Sequence, residues 1–237
     1  PNPYLDNFLF QEICGGFGNQ LFMILNILSL STEYNITYSI CFKNNYIKEY
    51  FDQHNTLRKE SNEYNLFKNI RIIKTLKTVK TLNTKILCNY NEKEFKYSKI
   101  KLEKNKKYNL NGYFQSYKYF WNYKDDIKFH LNIDKNLINI IKNKYNSFGK
   151  KILSIHVRLG DYEKLQDYHP IPPIEYYMKA ISFFNLNDYQ IILFSDNIAK
   201  AKNKLAPLNL NFIEANSLYT DDEEQFYMLM LSNVRIC

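Results

Sequence analysis

The chain has 237 residues and a mass of 28.5 kDa, 45% of it hydrophobic and 24% charged. That suits one large domain or two small ones and is too apolar for a disordered chain. No apolar run reaches the ~20 residues of a membrane-spanning helix, and the best, residues 21–30, is broken by Asn26 and Ser29 and predicts a buried helix. The net charge is +8, yet 28 of the 32 basic residues are Lys and four are Arg. A nucleic-acid surface would lean on arginine forks, so a solvated lysine face or an anionic small substrate fits better than RNA stacked on the 21 Tyr. The four Cys are far apart and form no CxxC pair, which predicts buried free thiols in a reducing compartment rather than zinc or disulfides.

In chain order, residues 8–14 read as a short strand and Gly15-Gly16-Phe17-Gly18 as a tight turn. Leu21, Phe22, Leu25 and Leu28 recur at helical spacing over 19–30, and the β-branched and aromatic run 36–42 reads as a strand. Together these make a βαβ unit. Residues 43–110 are dense in Lys and Asn; with short apolar clusters at 70–73 and 85–88 they read as short strands and helices joined by polar loops. Residues 111–116 read as a strand end, and 134–145 as a helix capped by Asp134 and closed near Gly149.

From residue 151 the alternation sharpens. Residues 152–157 form a near-continuous apolar run, as in a parallel strand covered on both faces. A helix follows Pro172-Pro173, strands are expected at 190–194 and 210–213, and helices at 198–205 and from Asp221 onward. The last helix is expected to bury Phe226, Met228, Leu229 and Leu231. Residues 234–236 have the pattern of a further strand, so the C-terminal half is expected to be incomplete. The whole predicts an α/β protein, divided into residues 1–150 and 151–237.

Candidate chemistry concentrates after the 152–157 strand, in His156, Arg158, Gly160, Asp161 and Tyr162. Ligands of open α/β sheets sit beyond the carboxyl ends of strands, and a guanidinium fork suits a diphosphate better than a Lys does. An Arg–Asp pair that merely braces the loop explains the same residues. Ser195 and Asp196 occupy the next strand end, where Asp196 either accepts from a ribose or base or caps the following helix. Gly16, Gly18, Asn19 and Gln20 open the first helix without a complete GxGxxG; they can donate to a sugar or phosphate, or serve as a cap. No Asp-x-Asp, HExxH or GxSxG occurs, which weakens metal-dependent sugar transfer, zinc hydrolysis and a serine nucleophile. His169 reads as a surface loop residue.

Three separated fragments resemble one family. Gly15-Gly16-Phe17-Gly18-Asn19-Gln20-Leu21-Phe22 is similar to the GGxGNQxF signature of the α-1,2-fucosyltransferases, glycosyltransferase family 11. The segment from Gly112 through Tyr113, Phe114, Gln115 and Ser116 to Phe120 resembles its GYFQSxKYF stretch, and His156 to Tyr162 its HxRRGDY motif. Phe194-Ser195-Asp196 and Tyr176-Tyr177 fit in the same order. Leu159 stands where the family has its second Arg, and the family's C-terminal NS(S/T)FSWW motif would fall beyond Cys237. The resemblance implies a GT-B-like fold of two Rossmann-like halves, an acceptor-side one and a nucleotide-sugar one. It implies inverting transfer of fucose from GDP-fucose to a galactose hydroxyl of a glycan, with no metal, cofactor, nucleic acid or membrane segment involved. Arg158, Asn19 and Asp161 would be catalytic. His156, Arg158, Gly160, Asp161, Tyr162, Ser195, Asp196, Gly16, Gly18 and Gln20 would bind the donor.

Overall fold

The computed structural model describes residues 8–42, 64–70, 87–94, 96–103 and 106–237. The chain divides into two compact units, 1–133 and 134–237. The division falls before the helix Lys135–Ser147, not at 150/151 as the sequence suggested. Ile141 and Tyr145 of that helix are buried against Ile152, Phe194 and Tyr227, so it belongs to the second sheet's core.

In the first unit, strand β1 (Phe8–Ile13) leads through Gly15 at φ +81° into helix α1 (Phe17–Tyr34) and strand β2 (Thr37–Phe42). Strands β3 (Leu87–Asn91) and β4 (Lys107–Asn111) complete a parallel sheet of order β2-β1-β4-β3. Leu9, Ile13, Ile24, Ile27, Leu28, Ile40 and Leu110 are almost wholly buried. Helix α1 also buries Asn26 and Ser29, whose side chains find no hydrogen-bond partner among the described residues. After β4 come short 3-10 turns and the single-turn helix α2 (Lys124–Ile127). At the 85–88 cluster a strand starts at Leu87. Ile70 instead follows the 3-10 turn Asn65–Phe67, its amide donating to the Phe67 carbonyl at 3.0 Å, and residues 71–73 lie outside the described residues.

The second unit contains helix α3 (Lys135–Ser147), whose cap Asp134 accepts from the Leu137 amide at 2.9 Å as predicted. Strands β5 (Lys151–Val157), β6 (Tyr189–Ser195), β7 (Phe212–Glu214) and β8 (Val234–Ile236) form a parallel sheet of order β7-β6-β5-β8. Helices α4 (Ile174–Ile181) and α5 (Ile198–Leu205) bury Tyr177, Ile181, Ala201 and Leu205 among Leu153, Ile155 and Leu193. Helix α6 (Asp222–Leu231) carries a complete capping box of Asp221 and Glu224. Its buried positions are Glu223, Tyr227 and Met228; Phe226, Leu229 and Leu231 are half-buried, one turn position away from the expected face. The strand expected at 210–213 runs two residues later. Of the thiols only Cys41 is fully buried, although none of the four enters a disulfide.

Both sheets switch once from one side of their first strand to the other. From β1 the chain steps to β2 on one side, then builds β3 and β4 on the other. From β5 it steps to β6 and β7, then returns to place β8 on the opposite side. Each switch opens a crevice beyond the carboxyl ends of the strands that flank it, β1 with β4 and β5 with β8, where ligands of such sheets bind.

Candidate active site

The β5–β6 register pairs Val157 with Ser195, so Arg158 and Asp196 are the residues immediately past the last pair. Arg158 Nη1 lies 2.9 Å from Asp196 Oδ2, and Nη2 lies 2.6 Å from Asp161 Oδ1. Asp196 Oδ1 accepts from the Leu159 amide at 2.9 Å. One carboxylate thereby fixes both the guanidinium and the backbone that follows it. Gly160 is forced by this arrangement: a Cβ there would collide with Asp196 Oδ2 and stand 3.2 Å from its Cγ. Ser195 Oγ donates to the Val157 carbonyl at 2.6 Å and accepts from Asn197 N at 3.0 Å. The helix cap expected at Ser195 or Asp196 falls instead to Asn197, whose side chain accepts from Lys200 N at 3.1 Å. Asp196 is released to span the two loops.

Beneath the guanidinium lies Tyr162, its ring centroid 5.4 Å from Arg158 Cζ, a cation–π distance. His169 stacks on Tyr162 with centroids 4.5 Å apart and planes 12° from parallel. The loop histidine is thus part of the Arg158 column, which its isolated place before Pro170 gave no signal of. His156, half-buried at the end of β5, has its pKa lowered first by burial and then by Arg158, with Asp196 opposing.

In the first unit the loops after β1 and β4 meet at the other crevice. Gln115 Nε2 donates to Asn19 Oδ1 at 2.5 Å. Gln20 is buried, and its amide is committed to the Gly15 carbonyl at 2.8 Å. The buried Gln11 braces the second loop the same way, donating to Gly112 O at 3.1 Å. Gly15 could carry no side chain, since its φ is +81° and a Cβ would lie 2.7 Å from Asn19 Nδ2. Gly18, in contrast, has open space where a methyl would stand, with nothing within 4 Å. Gly16 is the helix N-cap and uses no side chain. Glu92, just past β3, accepts from the Phe114 amide at 2.8 Å and holds Phe114 at φ +52°. Glu92 and Gln115 were not singled out in the sequence as site residues; Gln115 carried a signal only as part of the Gly112–Phe120 stretch, and Glu92 carried none. Among the described residues no three His, Cys, Asp or Glu side chains gather as a metal site.

Two consecutive parallel-sheet α/β units, each with polar side chains at its own crevice, define the class: a doubled Rossmann-like protein. The chain belongs to glycosyl transferase family 11, whose family model matches residues 36–234. No curated protein matches it by sequence. Among solved structures, the fucosyltransferase NodZ from Bradyrhizobium is similar at 12% identity, covering 87% of this chain and 78% of that one, with a TM-score of 0.45. A NodZ alpha-1,6-fucosyltransferase co-crystallized with GDP is similar at 11% identity over 94% of this chain and 84% of that one, with a TM-score of 0.46.

Proposed function

We propose that the chain is the scaffold of an inverting, metal-independent fucosyltransferase of GT-B-like fold that moves fucose from GDP-fucose to a galactose hydroxyl in an α-1,2 linkage. The observation that carries this reading is Arg158, fixed by two carboxylates beyond the carboxyl ends of β5 and β6 in a family 11 chain. In the transfer, the acceptor oxygen bonds to the fucose anomeric carbon, the bond from that carbon to the β-phosphate oxygen breaks, and GDP departs with the electron pair. The acceptor proton leaves to solvent or to a base. Charge builds on the β-phosphate, and a pre-placed guanidinium stabilises it without reorganising. Asp161 and Asp196 aim that guanidinium; Asp196, Ser195, Gly160 and Tyr162 frame the nucleotide, and His156 lines its floor as a neutral imidazole. Asn19, held by Gln115, orients a sugar hydroxyl, while Gly16 and Gly18 let it approach the start of α1.

Incubation of the protein with GDP-fucose and lactose, followed by NMR of the product, tests the reading. Fucosyllactose with an α-1,2 linkage is expected, formed equally well in EDTA. Activity restored only by Mn²⁺, or use of UDP- or GDP-mannose donors in preference to GDP-fucose, would refute it.

A further inference from the structure

The first unit also carries an open cleft of about 700 Å³ lined by Tyr97, Tyr117, Lys118, Trp121 and Asn122. Its walls are the segments that follow β3 and β4. The rings are unusually exposed for their size: Tyr97 is 36%, Tyr117 56% and Trp121 52% accessible. They nonetheless pack against one another and against neighbouring rings. Tyr117 and Trp121 meet edge to face at 5.7 Å and 85°, forming a corner. Tyr97 packs edge-on against Tyr119 at 4.9 Å, and Tyr119 in turn against the fully buried Phe114 at 5.4 Å. The Tyr119 hydroxyl also accepts from Ser98 N at 3.3 Å, tying the two walls together. Lys124, outside the lining, places its ammonium 4.7 Å from the Trp121 centroid and steadies that ring.

We propose that this cleft binds a pyranose ring of the acceptor glycan, a subsite separate from the residues assigned to transfer. Aromatic faces that line a cleft with no aliphatic side chain among the described residues suit the C–H face of a sugar, whose slightly positive hydrogens rest on the negative π face. The Asn122 amide and the Lys118 ammonium supply donors for ring hydroxyls. Among the described residues no acidic side chain lines the cleft, so an oxygen-rich neutral or anionic ligand meets only attraction there. A protein partner would call for aliphatic anchors, and an RNA for more than one lining cation. The choice of a glycan also rests on membership in a glycosyltransferase family, which acts on sugars.

The single Trp of the chain, Trp121, makes the test direct. Titrating the full chain with lactose or N-acetyllactosamine, without nucleotide, should change Trp121 fluorescence saturably, while GDP alone should not. Tyr117→Ala should weaken that titration about tenfold. Trp121→Ala should raise the acceptor KM by a similar factor, leaving kcat and GDP affinity near their original values, and Trp121→Phe should recover most of the loss. Saturation-transfer NMR on the unmutated chain gives the same answer without any variant. Unchanged fluorescence and an unchanged acceptor KM in an active transferase would overturn the cleft and leave the transfer reading standing. Glycan-dependent fluorescence in a chain without fucosyl transfer would do the reverse. Silence in both assays would refute both.

Discussion

The two units are both four-stranded parallel sheets, with different strand orders and opposite chemistry. Each sheet starts on an interior strand and switches once to its other side, which leaves a crevice beyond the strand ends. In the second unit the site beyond the strand ends lies at β5 and β6 and is charged: Arg158, Asp161 and Asp196 interlock within 3 Å. In the first it is built of amides and glycines, Asn19 with Gln115, Gln20 on Gly15, Gln11 on Gly112. A fixed cation is what a departing diphosphate needs; neutral donors and acceptors are what a hydroxyl-bearing sugar needs. The covered sheet of the second unit reads as apolar runs. Strands β3 and β4 instead expose a ladder of amide bonds, Asn89, Asn109, Asn111 and Asn91 linked at 3.0–3.2 Å.

The sharpest way to break the contrast is at Arg158. Charge-assisted bonds are worth about 1.5–3 kcal/mol, so Arg158→Ala should weaken GDP binding about tenfold or more by calorimetry. With two carboxylates on the guanidinium, the same variant is expected to lose about 1–3 kcal/mol in urea unfolding as well. Arg158→Lys separates the two effects: an ammonium restores part of the stability but not the fork, so GDP affinity should stay low. Full GDP affinity in Arg158→Ala, with stability lost, would show that the arginine only braces its loop.

A second change probes the first unit's core. Asn26 and Ser29 are buried in α1 with side chains that find no partner among the described residues, and a buried unsatisfied polar group costs about 1–3 kcal/mol. Asn26→Leu should therefore stabilise the protein by about 1–2 kcal/mol against urea. Loss of stability would mean that Asn26 makes a bond the described residues lack.

Smaller still is Gly18→Ala. A methyl there meets nothing within 4 Å, and Ala outranks Gly in a helix by about 0.8–1 kcal/mol. A slightly higher melting temperature is expected together with reduced transfer, because the space the methyl enters is the one assigned to substrate. Full activity would remove the start of α1 from the site.

The mildest effect is on pH. His156 has a folded pKa below 6.5, set mainly by burial. The native state then binds fewer protons than the unfolded chain, so its stability is complete above about pH 6.5 and declines as the pH falls toward the lowered folded pKa. Urea midpoints measured from pH 7.5 to 5.0 should fall less steeply for His156→Gln than for the unmutated protein. An identical slope would locate the acid sensitivity elsewhere.

Much of the second unit was legible because its strands are short apolar runs and its helices carry local caps. Asp134 caps α3, and Asp221 with Glu224 closes a capping box on α6, both written in adjacent residues. Less was legible over 43–110, where Lys and Asn obscure any period; only β3, β4 and one turn there fall within the described residues. The position of Asp196 illustrates the limit. Its sequence neighbours allowed a cap or a ligand, but its actual partners, Arg158 and the Leu159 amide, are 37–38 positions away along the chain and adjacent only because β5 and β6 pair in step.

By itself the sequence determined the local and periodic features: the strand–glycine–helix start, the apolar strands, the caps, and the spaced motifs that mark the family. Each depends on neighbours within about one helical turn or one strand, where side-chain periodicity is fixed by the backbone. The tertiary structure alone decided which side chains share a site. Strand order set where each sheet switches sides, register brought Arg158 between Asp161 and Asp196, and loop closure placed Gln115 on Asn19 and His169 on Tyr162. Those contacts join segments as much as 96 residues apart, and no pattern within either segment encodes the distance between them.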